Sequence, residues 1–306
     1  MMIFHKYQGA GNDFLIADNR DGHLTEKDGV LTAVLEDGTI WSRAISDLCD
    51  RRYGVGADGL MLLDAGNQTP AAADSTTDFH MTYFNSDGSG GMMCGNGGRC
   101  IVAFAYDCGV SGEETDEALV KFRFTAADGP HEAYILEDSS GVKTVRLGMK
   151  DVESADRFEV LTGTSVPSDG FFLDTGTRHY VRIVDDVDTC DVVGEGRDIR
   201  YNAEELMPGG ANVNFVEPSA GHIKVRTYEK GVEDETFACG TGIVASVLAA
   251  YMAGFPSVRA DGSGRLTCKV QAKKDVLSVD FIPSENGIAS DVHLTGPAAR
   301  VCGITV

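Results

Sequence analysis

The 306-residue sequence predicts an α/β (α+β) protein of two related lobes, each a sheet wrapped around one central helix. Most segments are short, rich in β-branched and aromatic residues, and bounded by Gly, Asp or Asn, which is typical of strands. Two longer segments are apolar nearly all round, and this pattern indicates buried helices. Both segments open with Cys-Gly and lie about half the chain apart, which favours a duplicated unit.

The predicted strands outnumber the predicted helices. They are MIFHKYQG (2–9), FLIADN (14–19), GLMLLDA (59–65), FHMTYFN (79–85), LVKFRFTA (119–126), HEAYILE (131–137), KTVRLGM (143–149), FFLDTG (171–176), HYVRIV (179–184), NVNFVE (212–217), IKVRTYEKG (223–231), RLTCKV (265–270) and VLSVDFI (276–282). Strands of this kind need a sheet that buries their apolar side chains, so the fold is dominated by β structure.

The predicted helices are SRAISDLCDRRYG (42–54), GGRCIVAFAYDCG (97–109) and GTGIVASVLAAYMAG (240–254). Gly54 would end the first of them as its C′ residue. The other two each follow a strand-like segment, so we expect them at the centres of the two lobes. The small, polar residues 68–78 predict an exposed hairpin loop.

The polar stretch 111–120 predicts a crossover between the lobes. The expected lobes are residues 1–117, which carry Cys94, and residues 118–293, which carry Cys239. The end of the chain, residues 294–306, could return as a strand to either lobe, and we place it with the first.

The composition is that of an ordinary globular protein, with 42% hydrophobic and 24% charged residues. A formal net charge of −21 argues against a nucleic-acid partner, because phosphate binding requires clustered Lys and Arg. The first residues do not form a signal peptide, and the longest apolar run is too short to span a bilayer. We therefore expect a cytoplasmic protein with no membrane partner, and we leave a homodimer open.

Eight cysteines in such a chain are more consistent with thiols than with a disulfide framework. None forms a C-x-x-C pair, and the seven histidines do not cluster near them, which argues against a zinc site. Cys94 and Cys239 differ from the other six in lying immediately before a glycine-rich helix start. A single cysteine in this position would more often be a small buried residue, but the matched pair favours chemistry.

A thiol at a helix N-terminus has its pKa lowered below the free value of about 8.5, because the positive end of the helix dipole favours thiolate. The N–H groups of the first turn can bind an anion beside it, and glycines allow close approach. Two such sulfurs flanking one carbon would lie about 6–7 Å apart, since reacting atoms approach within about 3–3.5 Å. One thiolate would remove a proton and the opposite thiol would return one, with no metal or cofactor required.

Six stretches of the chain resemble the diaminopimelate epimerase family, whose members work without pyridoxal phosphate. They are FHKYQGAGNDF (4–14), YGVGADGLMLL (53–63), YFNSDGSGGMMCGNGGRC (83–100), TGTRHYV (175–181), GANVNF (210–215) and YEKGVEDETFACGTG (228–242). The resemblance implies two pseudo-symmetric lobes, each a mainly antiparallel barrel-like sheet around a central helix. It also implies epimerisation of LL- to meso-diaminopimelate in lysine and cell-wall precursor synthesis.

The resemblance implies roles for individual residues. Cys94 and Cys239 would be the acid–base pair. His179 and Glu229 would tune or deprotonate the thiols and hold the reacting amino group. The substrate-binding residues would be the side chains of Asn12, Asn85 and Asn212 and the backbone of Gly95, Asn96, Gly240 and Thr241.

The sequence departs from the family at positions that would contact the substrate. Lys230 stands where the family normally has Arg, and Lys would bind the distal carboxylate as a flexible point charge rather than as a planar fork. Thr177 and Arg178 replace the commoner Asn-Pro pair, so no substrate contact is assigned to Thr177. Gly59 stands where some members have Gln. A racemase of another amino acid and a non-catalytic amino-acid-binding protein therefore remain alternatives.

Overall fold

The structure is a computed structural model that describes residues 1–66, 77–90, 93–160, 168–285 and 287–306. The elements of the first half are β1 (Ile3–Gly9), β2 (Asn12–Asp18), β3 (Leu24–Lys27), β4 (Val30–Val34), β5 (Ile40–Ala44), α1 (Ile45–Cys49), β6 (Gly59–Ala65), β7 (Phe79–Asn85), α2 (Gly95–Asp107), β8 (Val120–Ala126), β9 (Gly129–Ser139) and β10 (Val142–Gly148). The remaining elements are β11 (Ala155–Val160), β12 (Ser168–Asp174), β13 (Arg178–Ile183), α3 (Val192–Asn202), β14 (Asn212–Pro218), β15 (His222–Glu229), β16 (Asp234–Thr236), α4 (Gly240–Met252), β17 (Arg259–Ala260), β18 (Leu266–Gln271), β19 (Val276–Pro283) and β20 (Ala289–Thr305), with single 3-10 turns at Val187–Thr189 and Glu204–Leu206.

The chain folds into two compact units. The first comprises Met1–Leu147 together with Gly296–Val306, and the second comprises Gly148–Thr295. The boundary expected after residue 117 is therefore wrong by about thirty residues. The boundary lies later because of strand pairing. β8 pairs with β7, β9 pairs with β8 and β10 pairs with β9, so these three strands belong to the first unit.

The sheet of the first unit runs in the order β1–β2–β6–β7–β8–β9–β10. The pairs β2–β6 and β7–β8 are parallel and the others are antiparallel. β20 pairs with both β10 and β1, so this sheet closes into a barrel. The C-terminal part of β20 lies beside β1 in the first unit, with the register Ile3↔Thr305. β3, β4 and β5 form a separate antiparallel sheet.

The sheet of the second unit runs in the order β11–β12–β13–β14–β15–β18–β19–β20. Its parallel pairs are β13–β14 and β15–β18, and the short strands β16 and β17 extend β15 and β18. An isolated bridge between Val152 and Ala289 links the segment before β11 to β20, so this sheet also curves round on itself.

The two units repeat one strand plan. Along β1–β2–β6–β7–β8–β9–β10 the pairings are antiparallel, parallel, antiparallel, parallel, antiparallel and antiparallel, and the series β12–β13–β14–β15–β18–β19–β20 has the same succession. In each unit one long helix connects the second parallel pair. The duplication suggested by the two Cys-Gly helices is therefore present in the topology.

Helices α2 and α4 are the centres of their units. α2 packs against β1, β2, β6, β7 and β9, and α4 packs against β12–β15, β18 and β19. Every residue of α2 from Gly95 to Ala105 is buried, as are almost all of those from Gly240 to Ala250 in α4. Burial all round explains why neither sequence carries a polar stripe.

Both central helices and most predicted strands are confirmed, and β6 and β7 match their predicted bounds. The helix predicted over 42–54 is wrong over most of its length. Residues 42–44 belong to β5, which pairs with β4, and only Ile45–Cys49 is helical with Asp50 as its C-cap. Most of the loop predicted at 68–78 lies outside the described residues. Among those described, no helix is both long and apolar enough to cross a membrane.

Candidate active site

Each central helix begins immediately after one of the two cysteines singled out by the sequence. Cys94 is the N-cap of α2 with φ −111° and ψ 123°, and Cys239 is the N-cap of α4 with φ −102° and ψ 112°. Neither thiol makes a side-chain capping bond to its helix. Because the first N–H groups of an α-helix have no acceptor within it, both helix starts offer donors beside a sulfur.

The third residue after each cysteine has to be small. A Cβ added at Gly242 would lie 2.5 Å from Oδ1 of Asn214 and 3.2 Å from the ring of His179. At the matching position of α2, a Cβ on Gly97 would lie 3.3 Å from Sδ of Met61. Gly242 thus allows the polar side chains of Asn214 and His179 to approach the start of α4, and Gly97 allows a less tight approach of Met61 to α2.

His179 lies in β13 and is fully buried. Its Nδ1 lies 3.0 Å from Nδ2 of Asn214. The same Asn214 Nδ2 donates to the carbonyl of Tyr180 at 3.4 Å, while its Oδ1 accepts from the Thr227 hydroxyl at 2.9 Å. The amide orientation makes Nδ1 of His179 an acceptor, so the neutral ring carries its proton on Nε2. Burial lowers the pKa of His179 to about 3, so the ring is neutral at physiological pH.

The protonated side of His179 contacts two hydroxyls. Nε2 lies 2.9 Å from Oγ1 of Thr177 and 2.9 Å from Oγ1 of Thr241, and the two hydroxyl oxygens are 3.1 Å apart. Oγ1 of Thr241 lies 3.5 Å from Sγ of Cys239, which is 8% exposed. A continuous series of polar contacts therefore connects the imidazole of His179 to the sulfur of Cys239.

Asn212 ties the strands around this cluster together. Its Oδ1 accepts from the backbone N–H of Lys230 at 2.8 Å, and its Nδ2 donates to the carbonyl of Arg178 at 3.1 Å. Asn212 also stands opposite His179 in the β13–β14 register. It therefore joins the histidine strand to the end of β15, where Glu229 is the last residue.

Lys230 follows Glu229 at the end of β15. Lys230 is exposed, and within the described ranges its ammonium group forms no ion pair. Arg178, the other departure from the family, lies with its guanidinium over the ring of Phe172 at 5.1 Å. Alternation along β13 directs His179 and Arg178 to opposite sides, and the hydroxyl of Thr177, just before β13, contacts the His179 ring. Arg178 is therefore not part of the cluster.

The predicted residues of the first unit also form a local network. Nδ2 of Asn96 donates to Oδ1 of Asn12 at 2.5 Å, and Nδ2 of Asn12 donates to Oδ2 of Asp58 at 3.0 Å. Nη2 of Arg99, which is completely buried, donates to Oδ1 of Asn96 at 2.9 Å. Cys94 and Gly95 start the same helix, so these residues lie together at its N-terminal turn.

Asn85 ends β7 and is held by its own neighbours. Its Oδ1 accepts from the Tyr83 hydroxyl at 3.1 Å, and its Nδ2 donates to Oγ of Ser89 at 3.0 Å. Asn85 stands opposite Gly59 in the sheet. A Cβ at Gly59 would lie 2.9 Å from the Tyr83 ring, so Tyr83 occupies the space that a side chain at position 59 would need.

Four residues near the two helix starts were not assigned a role from the sequence, namely Tyr83, Arg99, Thr177 and Asn214. Asn214 could have been found, because it follows Asn212 by two residues and therefore points to the same side of β14. Thr177 likewise precedes His179 by two residues, and its hydroxyl contacts the His179 ring. Arg99 lies one helical turn after Gly95, and its complete burial has no signal in the local sequence.

Four of the other cysteines, Cys49, Cys100, Cys108 and Cys268, are thiols in largely buried surroundings. Burial raises the pKa of Cys49 and Cys100 to about 12 and that of Cys108 and Cys268 to about 11. Thiols of this kind are poor nucleophiles and bases near neutral pH. Their buried environments are those of structural residues.

The chain matches the family model described as diaminopimelate epimerase over residues 4–124 and 171–277. The diaminopimelate epimerase of Flavobacterium psychrophilum is 38% identical over 306 residues, which is 100% of both chains. That of Aquifex aeolicus is 38% identical over 301 residues, covering 98% of this chain and 96% of its own.

Solved structures with the same fold are much more distant in sequence. A phenazine biosynthesis protein of the PhzF family from Bacillus anthracis has a TM-score of 0.66 at 14% identity, covering 100% of this chain and 98% of its own. A hydroxyproline epimerase from Agrobacterium vitis has a TM-score of 0.65 at 15% identity, with coverage of 100% and 90%. At such identities the likeness concerns the fold alone. The family model and the full-length relatives together establish that this chain belongs to the diaminopimelate epimerase family.

Proposed function

We propose that this protein epimerises LL-diaminopimelate to meso-diaminopimelate by a cofactor-independent, two-cysteine acid–base mechanism. The observation that carries the proposal is the matched pair of cysteine N-caps, Cys94 on α2 and Cys239 on α4, in a member of this family. The reaction would serve the synthesis of lysine and of cell-wall precursors, and we place it in the cytoplasm.

In the proposed reaction one sulfur is a thiolate and the other a thiol. The thiolate takes the proton from the α-carbon, and the electron pair of the C–H bond moves towards the substrate carboxylate. The opposite thiol then donates its proton to the other face of the same carbon. The configuration is inverted, and the protonation states of Cys94 and Cys239 are exchanged.

The helix starts supply the electrostatic part of the mechanism. Backbone N–H groups of Gly95 and Asn96 on one helix, and of Gly240 and Thr241 on the other, would bind the carboxylate next to the reacting carbon. Negative charge develops there in the transition state, and donors aimed at such charge typically contribute about 3–4 kcal/mol each. The positive ends of the helix dipoles favour the thiolate form of each cysteine.

His179 would act on Cys239 by tuning rather than by removing its proton. A neutral ring with the proton on Nε2 has no free basic nitrogen facing the sulfur, because Nδ1 accepts from Asn214. Glu229, Asn12, Asn85 and Asn212 would hold the amino group and the remaining polar groups of the substrate. Lys230 would bind the distal carboxylate, since its ammonium is the cation at the end of β15.

The test is proton NMR of LL-diaminopimelate incubated in D₂O with fully reduced enzyme. The α-hydrogen signal should disappear as meso product forms, because the returning proton comes from a thiol in exchange with solvent. Cys94→Ser and Cys239→Ser should each lower the rate by at least about 10²-fold, the usual scale of general acid–base catalysis. Cys302→Ser is the matched control and should retain activity, since Cys302 is exposed. No exchange with reduced wild-type enzyme would refute the proposal.

Lys230 in place of Arg supports a second candidate, the racemisation of another amino acid on the same scaffold. A panel of L-amino acids followed by circular dichroism separates the two candidates. Preferential turnover of a monocarboxylic amino acid would favour the second. A non-catalytic binder would instead bind diaminopimelate without exchange, and would bind equally well after both cysteine substitutions.

A further inference from the structure

The hydroxyl of Thr177 lies at the centre of a group of hydrogen-bonding atoms in the second unit. Its Oγ1 is 2.9 Å from Nε2 of His179, 3.1 Å from Oγ1 of Thr241 and 3.4 Å from Nδ2 of Asn212. These contacts decide the direction in which each hydroxyl donates. The Nε2–H of His179, which faces both hydroxyls, and the Nδ2 group of Asn212 are donors, so neither can accept a proton from Thr177.

The single proton of the Thr177 hydroxyl is then left for the remaining neighbour, Oγ1 of Thr241. Thr241 accepts this bond, which frees its own hydroxyl proton to point elsewhere. The sulfur of Cys239 lies 3.5 Å from Oγ1 of Thr241, within hydrogen-bonding distance for sulfur. The donors therefore run in one direction, from His179 Nε2 through Thr177 and Thr241 to the Cys239 sulfur.

We propose that Thr177 is a positioning residue that directs the Thr241 hydroxyl at the sulfur of Cys239. A hydroxyl that donates to a sulfur favours the thiolate over the thiol. Such chains of hydrogen bonds also strengthen one another in a buried setting. Thr177 thus acts on the reaction through Thr241. The inference rests on the proposed function in one respect, which is that Cys239 acts there as an acid and a base.

The turn that carries Thr177 is built to hold it against α4. Oγ1 of Thr175 donates to the backbone carbonyl of Thr241 at 3.0 Å. Gly176 has φ +106°, a conformation that residues with a side chain rarely adopt. The backbone N–H of Thr175 also donates to the carbonyl of Thr177 at 3.2 Å. The hydroxyl of Thr177 is therefore fixed by its backbone as well as by its partners.

The experiment measures the reactivity of Cys239 without substrate. Reduced wild type, Thr177→Val, Thr177→Ser and Thr241→Val are treated with iodoacetamide at one fixed pH near 7.5. Modification of each cysteine is followed by peptide mass spectrometry. Cys302, which is exposed and has no part in the proposed reaction, is labelled in the same samples and serves as the internal reference.

Thr177→Val should slow the modification of Cys239 about 2- to 5-fold, the scale expected when one hydrogen bond is lost and nucleophilicity offsets part of the change. Thr177→Ser, which keeps the hydroxyl, should restore the wild-type rate. Thr241→Val should slow it at least as much as Thr177→Val. The rate at Cys302 should be unchanged in all three variants.

A wild-type rate at Cys239 in Thr177→Val or in Thr241→Val would overturn the proposal. So would equal slowing in Thr177→Ser and Thr177→Val, because that result points to the shape of the side chain rather than to its hydroxyl. If Thr177→Val is not recovered folded, the pair Thr177→Ala and Thr177→Ser decides the question. Failure here would leave the epimerase proposal standing, and a lack of epimerisation would leave the labelling result unaffected.

Discussion

Asn214 donates a hydrogen bond to Nδ1 of His179, with 3.0 Å between the two nitrogens. This single contact assigns the tautomer of a completely buried imidazole and directs its one proton towards the helix that begins after Cys239. An inward-facing histidine with its basic nitrogen already bonded is a fixed dipole rather than a proton acceptor. The side chain most readily taken for a general base therefore has a supporting part in this molecule.

The buried, neutral state of His179 predicts a pH-dependent stability. The pKa of His179 is about 3 in the folded protein and returns to about 6.5 in the unfolded chain. Between these values the unfolded chain binds a proton that the folded protein does not, so stability falls as the pH falls below 6.5 and is unaffected above it. From pH 7 to pH 5 the wild type should lose up to roughly 2 kcal/mol more free energy of unfolding than His179→Gln.

Urea unfolding of both proteins at the two pH values measures this difference. The carboxylates titrate alike in wild type and variant, so their contribution cancels in the comparison. Parallel pH dependence of the two proteins would show that His179 is not held neutral.

Gly242→Ala should damage both stability and activity. On helix propensity alone Ala would be favoured by about 1 kcal/mol. The added Cβ, however, would lie 2.5 Å from Oδ1 of Asn214, and forcing such a contact in a packed site costs about 1–3 kcal/mol. Thermal unfolding and the NMR exchange rate check both effects. Gly221→Ala is the control, because its Cβ would meet nothing within 4 Å, and it should behave as wild type.

Lys230→Met should weaken the recognition of diaminopimelate. Loss of a charged hydrogen bond to the distal carboxylate should lower kcat/KM about 10- to 100-fold. Lys230→Arg supplies a planar, bidentate donor and should equal or exceed the wild type. Steady-state kinetics with LL-diaminopimelate measures the change, with Lys269→Met, on an exposed residue of β18, as the control. Unaltered kinetics in Lys230→Met would remove this residue from the substrate site.

Oxidation should inactivate the enzyme reversibly. If the sulfurs of Cys94 and Cys239 address one carbon, an empty site leaves them free to form a disulfide under mild oxidant. Dithiothreitol should restore activity, and a non-reducing peptide map should contain the two cysteine peptides linked. Cys302→Ser should respond like the wild type. Full activity after prolonged oxidation would contradict the proposed pairing of Cys94 with Cys239.

The sequence predicted the parts of the fold that depend on local pattern. β6 and β7 are apolar runs with turn residues at their ends, and the two central helices are apolar nearly all round. The hairpin of β3 and β4 was not predicted, although the sequence contains a typical hairpin turn, Asp28-Gly29. Asp28 and Gly29 both have positive φ, +51° and +77°, in the two-residue turn that this pair favours.

The remaining errors arise where distant partners decide the outcome. Residues 42–44 have a helical pattern but pair with β4, which the neighbouring sequence does not reveal. Cys94 and Cys239 could be identified from the sequence because a helix start is recognisable from the neighbouring residues alone. The contacts of Thr177 and Asn214 join β13, β14 and α4, so their importance becomes visible only when the strands are brought together.

β20 imposes an order on the synthesis of the protein. Its residues beyond 295 close the barrel of the first unit, yet they leave the ribosome only after the whole of Gly148–Thr295 has been made. The first half therefore waits with the edge of β1 open while the second half is made. An open edge is a template for pairing with other chains. Protection of the nascent N-terminal half by chaperones would matter most during that interval.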